Sequence, residues 1–172
     1  MKMTFLALLG ALAAACAPVP ASGSNQNPGP IPPAADVAIT LTRGVCFGFC
    51  PDYTVTIRGD GTVTYVGRRF VNVTGEQHAA VEPAQVQQLL AQFDAAQFNT
   101  LNDAYRANIT DLPTFSVALT RNGQTKTVID YGGLSAGMPQ VVRHLEDEID
   151  RVAGTARWVL RDGQPVGDRP PM

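Results

Sequence analysis

Cys46 and Cys50 stand three residues apart in the stretch CFGFCP and are the strongest candidates for chemistry in the chain. The pair could be a structural disulfide, a redox couple or part of a metal site. A disulfide needs Cα atoms roughly 4.4–6.8 Å apart, so the segment must turn, and Gly48 gives the backbone the freedom to do so. Pro51 then fixes the exit from the loop. A structural disulfide is the favoured interpretation.

The alternative is a thiol-based copper-binding or redox site at Cys46, Cys50 and Pro51. The C-x-x-x-C-P form resembles copper chaperones of the Sco type, in which two soft thiolates and a distant histidine hold the metal. Only His78 and His144 could supply that third ligand. In the Sco fold a helix follows the motif, whereas the residues after Pro51 alternate as a strand. No metal and no cofactor are therefore expected.

Ser135 lies in Gly133-Leu-Ser-Ala-Gly137, which matches the G-x-S-x-G form of a hydrolase nucleophile. The hydrolase fold needs a larger parallel sheet, and its triad runs in the order Ser, acid, His. His144 is the one histidine after Ser135, with no acidic residue between them. The stretch is better explained as a strand-to-helix loop, so no catalytic residue is assigned and a non-enzymatic protein is predicted.

The first 35 residues predict export and membrane anchoring. An apolar run follows Lys2 and is too short to span a bilayer, as in a signal peptide. Small residues precede Cys16, as in the bacterial lipobox, although Ala13 replaces the usual leucine. We predict a lipidated Cys16, residues 16–35 as a disordered Pro/Gly/Ser tether, and an outer-membrane lipoprotein facing the periplasm. Ordinary cleavage that leaves a soluble periplasmic protein is the alternative.

Two hairpin-then-helix units are predicted in the remainder. In the first, alternation with a period of two indicates strands at residues 37–42, 53–57 and 62–66, with Asp60-Gly61 as a hairpin turn, and a further short strand is predicted at residues 70–74. A helix follows from Pro83 with a core-facing stripe of Val86, Leu89, Leu90 and Phe93.

The second unit has strands at residues 114–120 and 124–131 joined by Asn122-Gly123, and a helix at residues 139–152 that Gly154 stops. Tyr53, Tyr65 and Tyr131 are expected to be half-buried strand residues. In the helix we expect a buried set, Val141, Val142, Leu145, Ile149 and Val152, and an exposed set, Arg143, Glu146, Asp147, Asp150 and Arg151.

These elements predict an α+β fold with a mostly antiparallel sheet, both helices on one face and the hairpin-plus-helix unit quasi-repeated. The predicted organisation is a signal peptide (1–15), the lipidated cysteine and tether (16–35), one domain (36–154) and a tail (155–172) in which Trp158 packs on the domain and the last ten residues are disordered. A net charge of -2 without charged runs argues against nucleic-acid binding.

The combination of CFGFCPDYTVTIRGDGTVTY, an amphipathic helix, KTVIDYGG and a helix carrying HLEDEID resembles a bacterial family, domain of unknown function 6438, from about Val37 to Val152. The resemblance implies an envelope location and an α+β domain, and it supplies no catalytic residues. We therefore expect a non-enzymatic envelope lipoprotein with a binding or structural role, held by its lipid anchor and acting on an unknown envelope protein or ligand.

Overall fold

The structure is a computed structural model and describes residues 36–167. It is an α+β domain with nine strands and three helices in this range. The strands are β1 (Ala38–Arg43), β2 (Asp52–Arg58), β3 (Thr62–Arg69), β4 (Gly75–Ala80), β5 (Ala104–Arg106), β6 (Phe115–Arg121), β7 (Gln124–Tyr131), β8 (Leu160–Arg161) and β9 (Gln164–Pro165), and the helices are α1 (Pro83–Ala95), α2 (Gln140–Ala153) and α3 (Ala156–Val159).

Seven strands form the main sheet in the order β4-β3-β2-β1-β6-β7-β5. All neighbours are antiparallel except β5, which pairs in parallel with β7. The first strand of the chain therefore lies in the middle of the sheet, between β2 and β6. This arrangement confirms the α+β class and the mostly antiparallel sheet.

The core contains alternate strand residues together with the apolar stripes of α1 and α2. Ile39 and Leu41 of β1 are fully buried, whereas Thr40 and Thr42 point to the opposite face and are only half-buried. This alternation follows from the pleat, because successive side chains of a strand point to opposite faces. The opposite face is rich in threonine, and Thr40 bonds across the strands to Thr56 as Thr42 does to Thr54.

The two ends of the main sheet are built differently. At one end, called here the hairpin end, turns at residues 59–61 and 122–123 join β2 to β3 and β6 to β7. At the other end, called the apolar end, the strands run into longer loops at residues 44–51, 70–74, 107–114 and 132–139.

Several predictions for the individual elements are confirmed. Both hairpin turns, both long helices and the stop at Gly154, which has a φ of 66°, are found as expected. Trp158 packs on the domain, where it stacks on Tyr65 at 4.8 Å between ring centroids. Tyr131 is half-buried, but Tyr53 and Tyr65 are fully buried, deeper than predicted.

The prediction of a strand at residues 70–74 is wrong. Phe70 has a left-handed φ of 54°, which interrupts the extended chain, and the edge strand is β4 instead. The backbone N–H groups of Asn72 and Val73 bond to the carbonyls of Val159 and Trp158. The segment is thus held by the C-terminal residues and does not extend the sheet.

The C-terminal region is more ordered than predicted, because α3 and the small β8–β9 sheet extend to Pro165. Strand β5 was not predicted, since three residues are too short to show a period. No helix among residues 36–167 is long and apolar enough to cross a membrane. The predictions for Cys16, the signal peptide and the tether fall outside the described residues.

Candidate functional site

A row of side chains crosses the sheet at its last core-facing position before the apolar end. Tyr53 of β2 lies opposite Arg43 of β1, Arg43 lies opposite Phe115 of β6, and Phe115 lies opposite Asp130 of β7. The next core-facing positions along these strands are apolar, such as Leu41 and Val117. Two opposite charges, Arg43 and Asp130, therefore stand at the margin of a hydrophobic core.

Helix α2 supplies the partners for the β1 and β2 side of this row. The Asp150 carboxylate accepts hydrogen bonds from Arg43 Nε at 2.8 Å, from the Tyr53 hydroxyl at 2.7 Å and from the Thr155 hydroxyl at 2.7 Å. Arg43 also pairs with Asp147 at 3.2 Å. Charged hydrogen bonds of this kind are stronger than neutral ones, so Asp150 fixes the strand ends on both sides of the Cys46–Cys50 loop to the helix.

On the other side of the row, Asp130 joins β7 to both the helix and the following loop. One carboxylate oxygen accepts from the backbone N–H of Gly133 at 2.6 Å, and the other pairs with Arg143 of α2. Asp130 is 1% exposed. The guanidinium carbons of Arg43 and Arg143 lie 4.7 and 5.1 Å from the Phe115 ring centroid, a distance at which a cation is attracted to an aromatic ring.

Glu146 is the least expected member of the group. It is 0% exposed, and although Arg143 Nη1 lies 3.1 Å from its Oε2, neither carboxylate oxygen has a hydrogen-bond partner in the described part of the chain. Burial raises the pKa of Glu146 to about 8, opposed by the charge of Arg143 and supported by that of Asp130. Burial and the charge of Asp130 thus favour the protonated, neutral form of Glu146.

Burial also shifts the titration of the neighbouring phenol and guanidinium. The pKa of Tyr53 is raised, chiefly by burial and then by the negative charge of Asp150. For Arg43, burial disfavours the charge, but Asp150 and the other acidic groups outweigh it, and the pKa is raised. Tyr53 therefore stays a hydrogen-bond donor and Arg43 stays a cation throughout the physiological pH range. We call these residues the ionic cluster: Arg43, Tyr53, Phe115, Asp130, Arg143, Glu146 and Asp150.

The prediction that Arg143, Glu146 and Asp150 lie on a solvated helix face is wrong. Glu146 is buried, and the side chains of Arg143 and Asp150 are 27% and 19% exposed. Val141, predicted buried, is only half-buried, whereas Val142, Leu145, Ile149 and Val152 are buried as expected. A signal for Glu146 was present, because it lies four residues after Val142 and three before Ile149, on the core-facing stripe itself.

The Cys46–Cys50 loop is closed by a disulfide, with Cα atoms 5.6 Å apart. Gly48 has a φ of 149°, which glycine tolerates and other residues avoid, so the turn predicted at this glycine is confirmed. Backbone hydrogen bonds tie the loop to the segment before β6: Gly44 N–H to Thr114 O at 2.8 Å and Phe47 N–H to Asp111 O at 3.2 Å. The loop is therefore braced both by its own bridge and by its neighbour.

Large hydrophobic side chains are exposed at the apolar end. Phe47 and Phe49 of the disulfide loop are 88% and 57% exposed, and Phe49 packs edge-on against Phe70 at 5.6 Å. Within residues 36–167, every large hydrophobic side chain recorded as exposed belongs to a loop at this end: Val45, Phe47, Phe49, Ile109 and Leu134. We call these five side chains the apolar tip. The ionic cluster lies directly beneath it.

Other residues singled out from the sequence lie apart from this group or at its rim. His78 is exposed on the edge strand β4 and pairs with Glu76 at 3.0 Å. His144 is exposed on α2, and Ser135 is exposed in a short 3₁₀ turn at Gly133–Ala136. Between residues 36 and 167, no three His, Cys, Asp or Glu side chains are grouped so that they could hold a metal ion.

Fold and site together define a small α+β domain in which a buried ionic cluster supports loops that present a disulfide-braced apolar surface. A model of one protein family, a domain of unknown function (DUF6438), matches residues 37–153, and the chain belongs to that family. No curated protein matches the chain. Four residues from the stretches that carry the resemblance, Cys46, Tyr53, Asp130 and Asp150, lie in the ionic cluster or in the loop above it.

Proposed function

We propose that this chain is a cell-envelope lipoprotein, anchored through Cys16, whose domain has a binding role and uses the apolar tip as its binding surface. The anchor rests on the small residues before Cys16 and the apolar run that precedes them. On this proposal the protein faces the periplasm from the outer membrane. The domain presents its surface to a partner or ligand within the envelope.

The observation that carries the binding role is the grouping of exposed apolar side chains at one end of the sheet. Scattered exposed hydrophobic residues are ordinary, but a contiguous patch marks an interaction surface. Here the five residues come from three loops that touch each other, and the loop with the most exposed residue is closed by the disulfide. A braced loop loses little entropy on binding, which favours affinity.

A binding role is preferred to a catalytic one because of where the acidic groups lie. Asp130 and Glu146 form the one close carboxyl pair of the ionic cluster, and both are buried beneath the tip. The clefts described at the protein surface are lined by other residues, mostly at the hairpin end. None of the described clefts includes the pair, so its role on this proposal is to hold the loops in place.

The architecture proposed with this role has α1 and α2 on the same face of the sheet, in two related hairpin-plus-helix units. In support, the buried residues of both helices share one hydrophobic cluster with the core-facing residues of the strands. The threonine-rich face would then be left open to water. The tip lies at the end of the sheet and not on either face.

Lipidation is tested by metabolic labelling of the full chain with radioactive palmitate in a bacterial host. We expect label in the wild type and none in Cys16→Ser, with Cys46→Ser as the matched control that keeps its label. Membrane fractionation of the same cells locates the anchor. A wild-type chain that takes up no label would instead support cleavage to a soluble periplasmic protein.

The binding surface is tested by photo-crosslinking in cells. A photoreactive residue replaces Phe47 at the apolar tip or, as the control, Asn122 at the hairpin end of the same lipidated chain. We expect specific adducts from position 47 and none from position 122. Equal labelling from both positions, or none from either, would remove the apolar tip as the binding surface.

The rival proposal is a thiol-based copper-binding or redox protein that uses Cys46, Cys50 and Pro51. The pair is a disulfide, and neither His78 nor His144 joins it in a group of potential ligands in the described range. The reduction potential of the pair and a Cu(I) titration of the reduced protein separate the two proposals. Tight copper binding that is lost in His78→Ala or His144→Ala would favour this rival.

A further inference from the structure

The five side chains of the apolar tip form one continuous surface. The Phe47 N–H bonds to Asp111 O, which places the disulfide loop against the segment that carries Ile109. A Cβ atom at Gly132 would lie 2.8 Å from Leu112 Cδ1 and 3.0 Å from Ala107 Cβ, so the loop with Leu134 touches that same segment. The disulfide loop, the Ile109 segment and the Leu134 loop are thus adjacent.

The five residues of the apolar tip line none of the clefts described in residues 36–167. Its residues lie at the tips of loops that project beyond the strands, and the described clefts around Arg121 and Asn122 are at the hairpin end. Small ligands need a concave pocket with a few placed polar groups. A stable protein interface needs on the order of 1,000 Å² of buried surface over both partners and a partner of complementary shape. A fluid bilayer adapts to any projecting shape and accepts such side chains.

The charges around the tip have mixed signs. Arg68 pairs with Asp52 at 2.6 Å, and Arg69 lies 3.7 Å from the same carboxylate. Arg106 and Asp111 add one charge of each sign at this end. Attraction to anionic lipid is therefore a minor contribution to membrane binding. Insertion of apolar side chains is the main one.

The length of the predicted tether suits contact with the membrane that holds the lipid anchor. The chain enters the domain at Asp36, at the hairpin end, and β1 of six residues spans about 20 Å to the apolar end. The segment from Cys16 to Ala35 contains 20 residues (35 − 16 + 1). A flexible chain of that length has a root-mean-square span of about 25 Å and a maximum near 66 Å. Weak insertion is then strengthened by the high effective concentration that tethering creates.

We propose that the apolar tip inserts into the interfacial region of a lipid bilayer, so that the domain rests end-on on the membrane that carries its own anchor. The inference rests on the proposed binding role and names the bilayer as the partner. Phe47 and Phe49 enter the boundary between headgroups and acyl chains, with Val45, Ile109 and Leu134 at the rim. The disulfide and the ionic cluster keep the loops in the inserting conformation without refolding.

The test is vesicle flotation of residues 17–172 without the lipid, a piece that contains the whole core between Val37 and Val159. Vesicles of pure phosphatidylcholine and of phosphatidylethanolamine with phosphatidylglycerol are used at low and high salt. We expect the wild type to float with both, with affinities within about threefold of each other, because the apolar contribution dominates.

The decisive variant is Phe47→Ser with Phe49→Ser, which changes exposed side chains only. We expect binding to weaken by about tenfold for each phenylalanine, with an unchanged melting temperature. Gln124→Ser with Thr125→Ser, two exposed residues at the hairpin end, is the matched control and should float like the wild type.

Four outcomes would overturn the inference. They are a wild type that stays in solution, a serine variant that floats equally well, binding that needs phosphatidylglycerol and disappears in salt, and a wild-type dimer in sedimentation velocity that the serine variant abolishes. If flotation fails while position 47 still forms a protein adduct in cells, the binding role stands and the bilayer is excluded. If both experiments fail, both proposals are wrong.

Discussion

The two ends of the main sheet differ in how the strands are connected. At the hairpin end, two short turns join β2 to β3 and β6 to β7, and one ion pair there, Arg121 with Asp94, is largely exposed and joins a hairpin to a helix at the surface. At the apolar end, long loops need a disulfide, a buried carboxyl pair and two arginines that share one phenylalanine ring. Short turns connect the strands at one end of the sheet, whereas the loops at the other end are held by buried charged groups.

The difference shows which end of the fold is reinforced by buried polar contacts. Burying charges is unfavourable unless they are paired, and a sheet end can be closed without them, as the hairpin end demonstrates. At the apolar end every loop of the tip begins or ends at a residue bonded to α2 or to another loop. The buried charges thus hold an exposed apolar surface in a fixed shape, which apolar packing alone could not do for residues that face solvent.

The largest expected effect comes from removing the buried carboxylate in Asp130→Ala. The change removes the carboxylate that binds the Gly133 N–H and Arg143, which is left with Glu146 alone, and we expect about 3 kcal/mol lower free energy of unfolding, measured by urea denaturation. A change below about 1 kcal/mol would show that the buried pair is no more important than an exposed one. The contrast between the two ends would then be lost.

The second effect concerns the disulfide. Replacing both Cys46 and Cys50 with serine releases a loop of five residues, and chain entropy predicts about 2 kcal/mol lower stability. Reducing the wild-type protein should give the same loss as the double variant. Agreement between the two would assign the effect to the bridge, whereas a loss in the variant alone would assign it to the serine side chains.

The third effect is a pH dependence confined to the apolar end. The folded pKa of Glu146, about 8, lies above its ordinary value of 4.5, and the charges that face it are Arg143, Asp130 and Arg43. The folded state therefore holds a proton that the unfolded chain has released. The contribution of this proton to the free energy of unfolding is fully present below about pH 4.5. It is lost as the pH rises to 8, by up to about 1.4 kcal/mol for each pH unit.

Glu146→Gln should remove this slope, because the amide keeps the neutral hydrogen-bonding group at every pH. Unfolding curves at pH 6, 7 and 8 test it. Glu148→Gln on the same helix is the control, since a hydrogen bond from Arg151 lowers the Glu148 pKa and places its titration below this window. A wild-type slope that persists in Glu146→Gln would assign the titration to another group.

The smallest expected effect is at the hairpin end. Arg121→Met breaks the exposed pair with Asp94, where the carboxylate side chain is 61% exposed, and we expect less than about 1 kcal/mol in the same urea assay. Raising the salt concentration should reduce even that difference. A loss as large as that of Asp130→Ala would mean that burial does not distinguish the two ends.

Sequence patterns predicted the hairpin end well and the apolar end poorly, for a physical reason. Asp60-Gly61 and Asn122-Gly123 specify their turns through the backbone preferences of adjacent residues, so local sequence suffices. The ionic cluster depends on residues far apart in the chain: Arg43 and Asp150 are separated by 107 positions. The charges of Arg143, Glu146 and Asp150 suggested a solvent-exposed helix face, although Glu146 is fully buried at a core-facing position of α2.

The short disulfide loop was inferred correctly because the spacing and Gly48 carry that information locally. The apolar tip could not be predicted, because Val45, Phe47, Ile109 and Leu134 look like ordinary core residues until the fold leaves them outside. Strand β5 and the small C-terminal sheet also escaped, since two or three residues do not establish a period. Tertiary context decides such short elements.

The central position of β1 sets the order in which the sheet can be completed. Arg43 and its cross-strand partner Phe115 are 72 positions apart (115 − 43). Strand β1 therefore cannot pair with β6 until the second half of the chain is present. Contacts between distant residues form slowly. The antiparallel pair β1–β2 and the bridge between them need only the first half. We therefore expect oxidation of Cys46 and Cys50 to precede the closing of the sheet as the newly made chain folds.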